Sequence, residues 1–331
     1  RHHLLLMRRT ALVAGAGGFI GGHLVRSLMM ADIDVRAVDI KPRDEWYQIF
    51  AQNDNRVMDL QEDDNCFMAV EGCDLVYNLA ADMGGMGFIE NNKAQCMLSV
   101  LINTNLLRAA LAFGIERYFY ASSACVYAAD KQTDPNVTAL KEADAYPAMP
   151  EDGYGWEKLF SERMCRHFTE DFGLITRVAR FHNVYGPYGT WYGGREKAPA
   201  AICRKVLESV ASDDYNIDIW GDGEQTRSFM YISDCIEGIH RIMTSDTIDF
   251  PVNLGSTELV SINELVDLVA AIENVELERH YDLSAPQGVR GRNSDNTLLL
   301  EHTGWEPSVS LKDGLAETYE WIQSEMIGLH P

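Results

Sequence analysis

The chain has 331 residues and a net charge of −22 at neutral pH, from 28 basic and 50 acidic side chains. This length allows one large or two moderate domains with a proper core. The acidic balance argues against non-specific binding to nucleic acid or to an anionic membrane. Seven cysteines without a Cys-x-x-Cys pair favour reduced thiols over a disulfide framework or a zinc site, so no metal is expected.

The N-terminal segment gives no targeting signal. Residues 1–3 resemble the remnant of a purification tag, with Met7 as the expected native start. The apolar run at residues 4–7 is too short for a signal peptide or a membrane span. We therefore expect a cytoplasmic protein with no membrane partner.

The first motif is a short apolar strand followed by a glycine-rich turn at residues 15–21 and an amphipathic helix to about Met30. Such a unit cradles a pyrophosphate, because the glycines allow close backbone approach and the helix presents free N–H groups. The next strand ends at Asp39, which is placed to accept from a ribose 2′-hydroxyl and to repel a 2′-phosphate. The motif therefore predicts NAD rather than NADP, although Lys41 and Arg43 nearby weaken that preference.

Strands continue to alternate with helices, which predicts an α/β fold with a Rossmann-type, doubly wound parallel sheet. We expect a cofactor-binding domain at residues 7–187, to which later segments return. A smaller mixed α/β domain at residues 188–331 is expected to hold mainly the substrate. The residues expected to contact NAD are Gly15, Gly18, Phe19, Ile20, Asp39, Asp59, Leu60, Leu79, Ala80 and Ala81.

Two segments carry the predicted chemistry. Ser123 follows an apolar strand, and Tyr154 and Lys158 lie at the start of a long helical pattern. A serine, a tyrosine and a lysine four residues after it can form a proton relay that moves a hydride to or from an alcohol carbon. Cys125 is not needed for such a relay alone. We interpret the combination as a relay that makes a temporary ketone and a thiol that uses the ketone to move a second proton.

Each of these residues also has a purely structural interpretation. Cys125 could be a small buried hydrophobic residue. Lys197 could be a charge on a solvated turn, and Tyr154 and Lys158 could be an ordinary helix start. Only the combination, in this order, favours catalysis.

These residues resemble the extended short-chain dehydrogenase/reductase family, whose members modify nucleotide sugars. Within that family, residues 122–127, 193–201 and 288–296 look like the matching segments of the GDP-mannose 3,5-epimerases. The resemblance covers nearly the whole chain. It implies an NAD-dependent isomerase that converts GDP-mannose to GDP-L-galactose and GDP-L-gulose through a transient 4-keto sugar.

The resemblance also implies a role for each catalytic residue. Tyr154 takes the proton of the carbon-4 hydroxyl, Ser123 positions that hydroxyl, and Lys158 favours the phenolate and reaches the nicotinamide ribose, so both Tyr154 and Lys158 also contact NAD. Cys125 and Lys197 form the acid–base pair for epimerisation. The full set of expected substrate contacts is Gly84, Ser123, Ala124, Cys125, Asn183, Glu196, Lys197, Ala198, Lys205, Gln225, Arg227 and Arg292.

Three further expectations concern shape and alternatives. In so acidic a chain, Lys205, Arg227 and Arg292 suggest a diphosphate site, because guanidinium forks suit phosphate oxygens. The glycine- and methionine-rich residues 82–87 suggest a lid on the sugar site. The helix at about residues 93–113 and the helix after Tyr154 suggest a homodimer interface. The alternatives are a 4-epimerase or 4,6-dehydratase of the same fold, or a non-catalytic NAD-binding scaffold.

Overall fold

The computed structural model describes residues 8–81 and 86–329. The strands in this part of the chain are β1 (Thr10–Ala14), β2 (Asp34–Asp39), β3 (Asp54–Val57), β4 (Leu75–Asn78), β5 (Arg117–Ser123), β6 (Thr176–Phe181), β7 (Val184–Tyr185), β8 (Asn216–Trp220), β9 (Thr226–Ser228), β10 (Met230–Tyr231), β11 (Val252–Leu254), β12 (Leu259–Ser261) and β13 (Glu278–Asp282). The helices are α1 (Phe19–Met30), α2 (Asp63–Val70), α3 (Met86–Asn91), α4 (Lys93–Met97), α5 (Ser99–Phe113), α6 (Asp152–Phe172), α7 (Ala198–Ser212), α8 (Ile232–Thr244), α9 (Ile262–Glu273), α10 (Thr297–Thr303) and α11 (Leu311–Leu329).

The central element is a seven-stranded sheet in the order β11-β6-β5-β4-β1-β2-β3, and every pair in it is parallel. The chain order reverses beside β1, so a crevice opens where the carboxyl ends of β1 and β4 diverge. The predicted parallel sheet is confirmed. Its last strand, β11, comes from well beyond residue 188.

Both faces of the sheet are covered by apolar packing. In β1, Ala11 and Val13 belong to one buried cluster, and Leu12 and Ala14 belong to the other. This alternation follows from the two-residue period of a strand. Helices α1, α7, α8, α9 and α11 contribute to the first cluster, and α2, α5 and α6 contribute to the second. The layers fix the carboxyl ends of the strands, where the functional residues lie.

The helix predicted at about residues 93–113 is present as two adjoining helices, α4 and α5, which meet at Leu98. Among the described residues, Lys93–Phe113 is the one stretch long and apolar enough to cross a membrane by length and composition, and 39% of its apolar window is buried. The long helix predicted at Tyr154 and Lys158 is present as α6, which begins at Asp152, so Tyr154 lies in its first turn. The lid predicted at residues 82–87 falls largely outside the described residues.

Short two-stranded sheets complete the C-terminal half: β7 with β10, β9 with β12, and β8 with β13. A capping box opens α9, since Ser261 Oγ accepts from the Glu264 backbone N–H at 3.0 Å and Glu264 accepts from the Ser261 N–H at 3.2 Å. A turn that begins after Trp220 connects β8 to the segment that leads into β9. This region carries Arg227 towards the carboxyl end of the large sheet.

Candidate active site

The glycine turn after β1 packs directly on the end of β4. Gly15 has φ +86°, and a Cβ there would lie 2.8 Å from the backbone of Leu79. A Cβ at Gly21 would lie 2.0 Å from the carbonyl oxygen of Gly15, so the first turn of α1 also needs glycine. Gly18 is the N-cap of α1, and Phe19 and Ile20 open that helix. The turn therefore presents a helix N-terminus to the crevice, which fits a pyrophosphate.

Asp39 lies at the end of β2 with one carboxylate oxygen bonded to the glycine turn. Its Oδ2 accepts from the Gly17 N–H at 2.9 Å, and its Oδ1 accepts from the Lys41 N–H at 3.0 Å. Each oxygen keeps a lone pair for a ribose hydroxyl. Arg43 donates to the carbonyl of Asn55 at 2.7 Å, and the Lys41 ammonium lies over the Tyr47 ring. Both cations have other partners, which strengthens the preference for NAD over NADP.

The other predicted NAD contacts line the same crevice. Asp59 and Leu60 follow β3, and Asp59 Oδ1 accepts from the Gln61 N–H at 2.9 Å. Leu79, Ala80 and Ala81 follow β4, and the Leu79 N–H donates to the carbonyl of Ala14 at 2.9 Å. Together with Asp39 they fit a dinucleotide lying across the strand ends, as the sequence predicted.

The relay residues come from two adjoining elements. Ser123 ends β5, and Tyr154 and Lys158 lie one helical turn apart on α6, both only 4% exposed. The Lys158 ammonium donates to the Ala121 carbonyl at 2.9 Å and lies 5.5 Å from the centre of the Tyr154 ring. The structure thus brings the three predicted relay residues together.

Burial acts against the expected ionisation of Tyr154. Burial raises the pKa of Tyr154, and the nearby Cys125 and Glu157 raise it further, while the Ser123 hydrogen bond lowers it in part. Burial also lowers the pKa of Lys158, although Glu157 opposes this. Loss of hydration in the site therefore opposes the phenolate, while the positive charges of Lys158 and of the nicotinamide of bound NAD would act in its favour.

Cys125 lies on a single helical turn that directly follows β5. Ser123 Oγ accepts from the Cys125 N–H at 3.1 Å, and the carbonyl of Cys125 accepts from the Glu151 N–H at 3.1 Å. A Cβ at Gly155 would lie 2.3 Å from that carbonyl oxygen, so glycine lets α6 come this close. Cys125 and Tyr154 share one small buried cluster with Ile89 and Cys96.

Arg292 lies beside the thiol. Its Nη1 lies 3.9 Å from Cys125 Sγ, its Nε donates to Gln132 Oε1 at 2.9 Å, and its Nη2 forms an ion pair with Glu151. Its charge also acts on Arg227, so its place among the diphosphate cations stays a prediction. Glu151 was missed from sequence.

Lys197 is the N-cap of α7 and is partly buried. Burial lowers the pKa of the Lys197 ammonium, and the charge interaction with Cys125 opposes this. Burial raises the pKa of the Cys125 thiol, Glu151 raises it further, and Arg292 lowers it in part. The pKa values of Lys197 and Cys125, the predicted acid–base pair, are therefore shifted towards each other. This favours proton exchange between these groups and a substrate.

The predicted diphosphate cations include two that bind only backbone carbonyls in the described structure. Arg227 is 7% exposed and donates to the carbonyls of Thr226 at 2.7 Å and Gln287 at 3.2 Å. Burial and the nearby Arg292 lower the pKa of Arg227 to about 10. Lys205 donates to the Asp218 carbonyl at 2.8 Å. Cations held by neutral carbonyls keep charge available for an anionic ligand.

The remaining predicted substrate residues come from several segments of the chain. Asn183 has φ +46°, and its side chain donates to the Ser228 carbonyl at 3.4 Å. Gln225 Oε1 is buried without a hydrogen-bond partner among the described residues. Glu196 accepts from the Gly194 N–H at 2.7 Å and pairs with Arg204. Ala124 lies on the Cys125 turn, Ala198 opens α7, and Gly84 lies outside the described residues.

The fold and this site define the class of protein. The model of the NAD dependent epimerase/dehydratase family matches residues 11–255. The chain therefore belongs to this family, and NAD is its cofactor. The predicted membership and fold are confirmed.

Individual relatives are more specific. GDP-mannose 3,5-epimerase 1 of Oryza sativa subsp. japonica is 49% identical over 315 residues, which cover 95% of this chain and 82% of the relative. GDP-mannose 3,5-epimerase of Arabidopsis thaliana is 47% identical with the same coverage. Among solved structures, UDP-glucose 4-epimerase of Thermotoga maritima superposes with a TM-score of 0.86 at 24% identity, covering 96% of this chain and 99% of that one, which shows the shared fold.

Proposed function

We propose that the chain is an isomerase that inverts carbons 3 and 5 of GDP-mannose through a transient 4-keto sugar. The products are GDP-L-galactose and, after inversion at carbon 5 alone, GDP-L-gulose. The observation that carries the proposal is the burial of Cys125 in one cluster with Tyr154. Transfer of hydride at carbon 4 alone needs no thiol there. The two GDP-mannose 3,5-epimerases at 49% and 47% identity support the choice of sugar nucleotide.

The first step removes a hydride from carbon 4 and the proton from its hydroxyl group. Bound NAD supplies the chemistry of accepting a hydride from that carbon and returning it later. Tyr154 takes the proton of the carbon-4 hydroxyl as its phenolate, and Ser123 Oγ holds that hydroxyl. Lys158 keeps a positive charge 5.5 Å from the Tyr154 ring, which offsets part of the cost of a buried phenolate.

The second step moves protons at carbons 3 and 5. The ketone acidifies their hydrogens, since the electron pair released by deprotonation is delocalised onto the carbonyl oxygen as an enolate. Inversion needs a base on one face and an acid on the other. Burial lowers the pKa of Lys197 and raises that of Cys125, so an amine base and a thiol acid are the favoured starting forms.

This assignment closes the proton balance over two inversions. After the first inversion, Lys197 has gained a proton and Cys125 has lost one. A second inversion with the roles exchanged returns both groups to their starting forms. The hydride then returns to carbon 4 and the proton held by Tyr154 returns to the carbon-4 oxygen, so no net oxidation occurs.

The diphosphate is assigned to Arg227, Lys205 and the N-terminus of α7. Arg227 is buried and bonded only to neutral carbonyls among the described residues, and the first turn of α7 offers free N–H groups beside Lys197. This arrangement supports binding of a nucleoside diphosphate in a chain that is otherwise strongly acidic.

The dimer proposed from sequence is supported by an exposed apolar face on α4, α5 and α6. Met97 and Leu98 are each 47% exposed, Leu101 is 41%, Trp156 is 44% and Phe160 is 54%. Helices α4 and α5 both pack against α6, so these side chains share one surface. We assign a second copy of the chain to this surface, because exposed apolar patches of this kind mark association sites.

The seven free buried cysteines support the proposed cytoplasmic location.

The direct test is turnover of a panel of sugar nucleotides, with products identified after hydrolysis of the diphosphate. The proposal predicts galactose- and gulose-configured products from GDP-mannose and none from UDP-glucose. It also predicts that Cys125→Ala abolishes those products while retaining bound NAD. A Cys125→Ala variant with most of the wild-type turnover would instead favour a 4-epimerase or 4,6-dehydratase. Bound NAD with no reaction on any sugar nucleotide would favour a non-catalytic scaffold.

A further inference from the structure

Glu151 holds an unusual position at the start of α6. It is the N-cap residue of that helix, yet its side chain makes no capping hydrogen bond. Glutamate is not among the preferred N-cap residues. Its carboxylate instead points to Arg292 and forms an ion pair, and only 9% of the Glu151 side chain and 5% of the Arg292 side chain are exposed. Because burying two charges is costly, this pair calls for a functional explanation.

Both residues of the ion pair contact Cys125. The Glu151 N–H donates to the Cys125 carbonyl at 3.1 Å. Arg292 Nη1 lies 3.9 Å from Cys125 Sγ, while Gln132 Oε1 fixes the other side of the guanidinium at 2.9 Å. Gln132 is itself held by the carbonyls of Tyr127 and Ala128. The orientation of Arg292 towards sulfur thus depends on Glu151 and Gln132.

Charged and titratable groups surround this sulfur from every packed element. Helix α6 and its cap contribute Glu151, Tyr154 and Lys158, and α4 contributes Cys96. Lys197 lies at the start of α7, Arg227 lies on β9, Ser123 ends β5, and Arg292 lies between β13 and α10. Four of these groups are cations, which on their own would favour a thiolate. Glu151 is the carboxylate that opposes them at the sulfur.

We propose that Glu151 is a positioning residue for the epimerisation step: it holds Arg292 against Cys125 Sγ and keeps the sulfur protonated until substrate is bound. This inference rests on the proposed function and assigns the starting roles within it. Cys125 begins as the proton donor, and Lys197 begins as the acceptor. The S–H proton goes to the sugar carbon, and the resulting thiolate is stabilised by the Arg292 guanidinium at the same distance.

The experiment titrates Cys125 in the NAD-loaded full chain without substrate, by the pH dependence of its alkylation rate. Cys125→Ala supplies the background from the other thiols. Glu151→Gln keeps the shape but removes the charge, and Glu151→Asp keeps the charge on a shorter stem. Glu170→Gln, at the exposed end of the same helix, is the matched control.

The expected result is a lower midpoint for Glu151→Gln, by about one unit or more, which is a roughly tenfold faster alkylation near neutral pH. Glu151→Asp is expected to restore much of the wild-type midpoint, and Glu170→Gln to match wild type. A midpoint for Glu151→Gln that stays unchanged or rises, in protein that keeps NAD, overturns the proposal.

This readout is independent of the substrate. A shifted midpoint in an enzyme that does not act on GDP-mannose would leave the role of Glu151 at the thiol intact and refute the proposed function. With active enzyme, Glu151→Gln should also move the pH profile of proton exchange at carbons 3 and 5 to lower pH. It should leave the rate of hydride transfer at carbon 4 within about twofold of wild type, a split that a general structural defect would not produce.

Discussion

Gly155 lies against the carbonyl oxygen of Cys125 so closely that a Cβ at Gly155 would be 2.3 Å from it. This contact ties the turn that carries the thiol to the helix that carries Tyr154 and Lys158. The residues for hydride transfer and the thiol for proton exchange are therefore held at fixed positions relative to each other. Because rates depend steeply on the placement of reacting groups, this contact should matter for activity more than for folding.

Replacing Gly155 by alanine should separate the thiol turn from α6. We expect a loss of about 1–3 kcal/mol of stability from the forced shift and a fall in kcat of about a hundredfold. Melting temperature, NAD content and turnover of GDP-mannose measure the effect. The control is Gly328→Ala, since no atom lies within 4 Å of a Cβ at Gly328. A Gly155→Ala enzyme with wild-type turnover would show that the close contact does not set the geometry of the site.

Arg227 should contribute mainly to binding of the diphosphate. Arg227→Gln removes a buried guanidinium, and hydrogen bonds to charged groups are worth about 1.5–3 kcal/mol. We expect the Kd for GDP, measured by calorimetry on NAD-loaded protein, to rise about ten- to a hundredfold. Arg241→Gln, at an exposed position on α8, should leave it unchanged. Equal GDP affinity in wild type and Arg227→Gln would remove Arg227 from the diphosphate site.

His182 should make the fold sensitive to acid. It is fully buried, its Nε2 donates to Asn253 Oδ1 at 2.9 Å, and Nδ1 has no hydrogen-bond partner among the described residues. Burial lowers the pKa of His182 from 6.5 to about 3. At acidic pH, His182 therefore binds a proton in the unfolded chain but not in the folded chain. The free energy of unfolding thus decreases as pH falls below 6.5.

The size of this decrease follows from the lowered pKa of His182. Between neutral pH and about pH 5, His182 should lower the free energy of unfolding by about 2 kcal/mol. Denaturant unfolding across this range should show a shallower dependence on pH for His182→Gln, whose amide keeps the bond to Asn253. Exposed His280, changed to glutamine, is the control. An identical pH slope in wild type and His182→Gln would mean that His182 is protonated in the folded state.

The exposed apolar face of α4, α5 and α6 should carry the contact between two copies. Phe160→Glu places a charge where the side chain is 54% exposed in the single chain, and burying it against a partner would be unfavourable. Light scattering should show a dimer for wild type and a monomer for Phe160→Glu. Met30→Glu, at a 78% exposed position on α1, should remain dimeric. A monomeric wild-type protein, or a dimeric Phe160→Glu variant, would exclude this face.

Much of the site was predictable from sequence because its parts are local. Short-range spacing within a strand–turn–helix unit predicts the glycine turn and Asp39 at the end of the next strand. Short-range spacing along one helix predicts the pair Tyr154 and Lys158. Cys125 was recognisable because it lies only two residues after Ser123. Their convergence then follows from the parallel sheet, which brings the carboxyl ends of its strands to one edge.

Glu151 and Arg292 show where sequence reasoning stopped. They are 141 positions apart in the chain, and a spacing argument gives no reason to pair them. Counting cations grouped Arg292 with the diphosphate residues but gave no indication that it also lies at the thiol. The one local signal was an acidic residue at an N-cap position that it seldom occupies. The effect of burial on the pKa of Tyr154 could not be predicted from spacing either, since burial depends on the packing of distant segments.

The most direct test of the account is incubation of the NAD-loaded protein with GDP-mannose in heavy water, followed by proton NMR of the sugar. The account predicts deuterium at carbons 3 and 5, galactose- and gulose-configured products, retention of hydrogen at carbon 4, and no net reduction of the cofactor. Products formed without deuterium at either carbon, or intact GDP-mannose with full NAD occupancy, would contradict it.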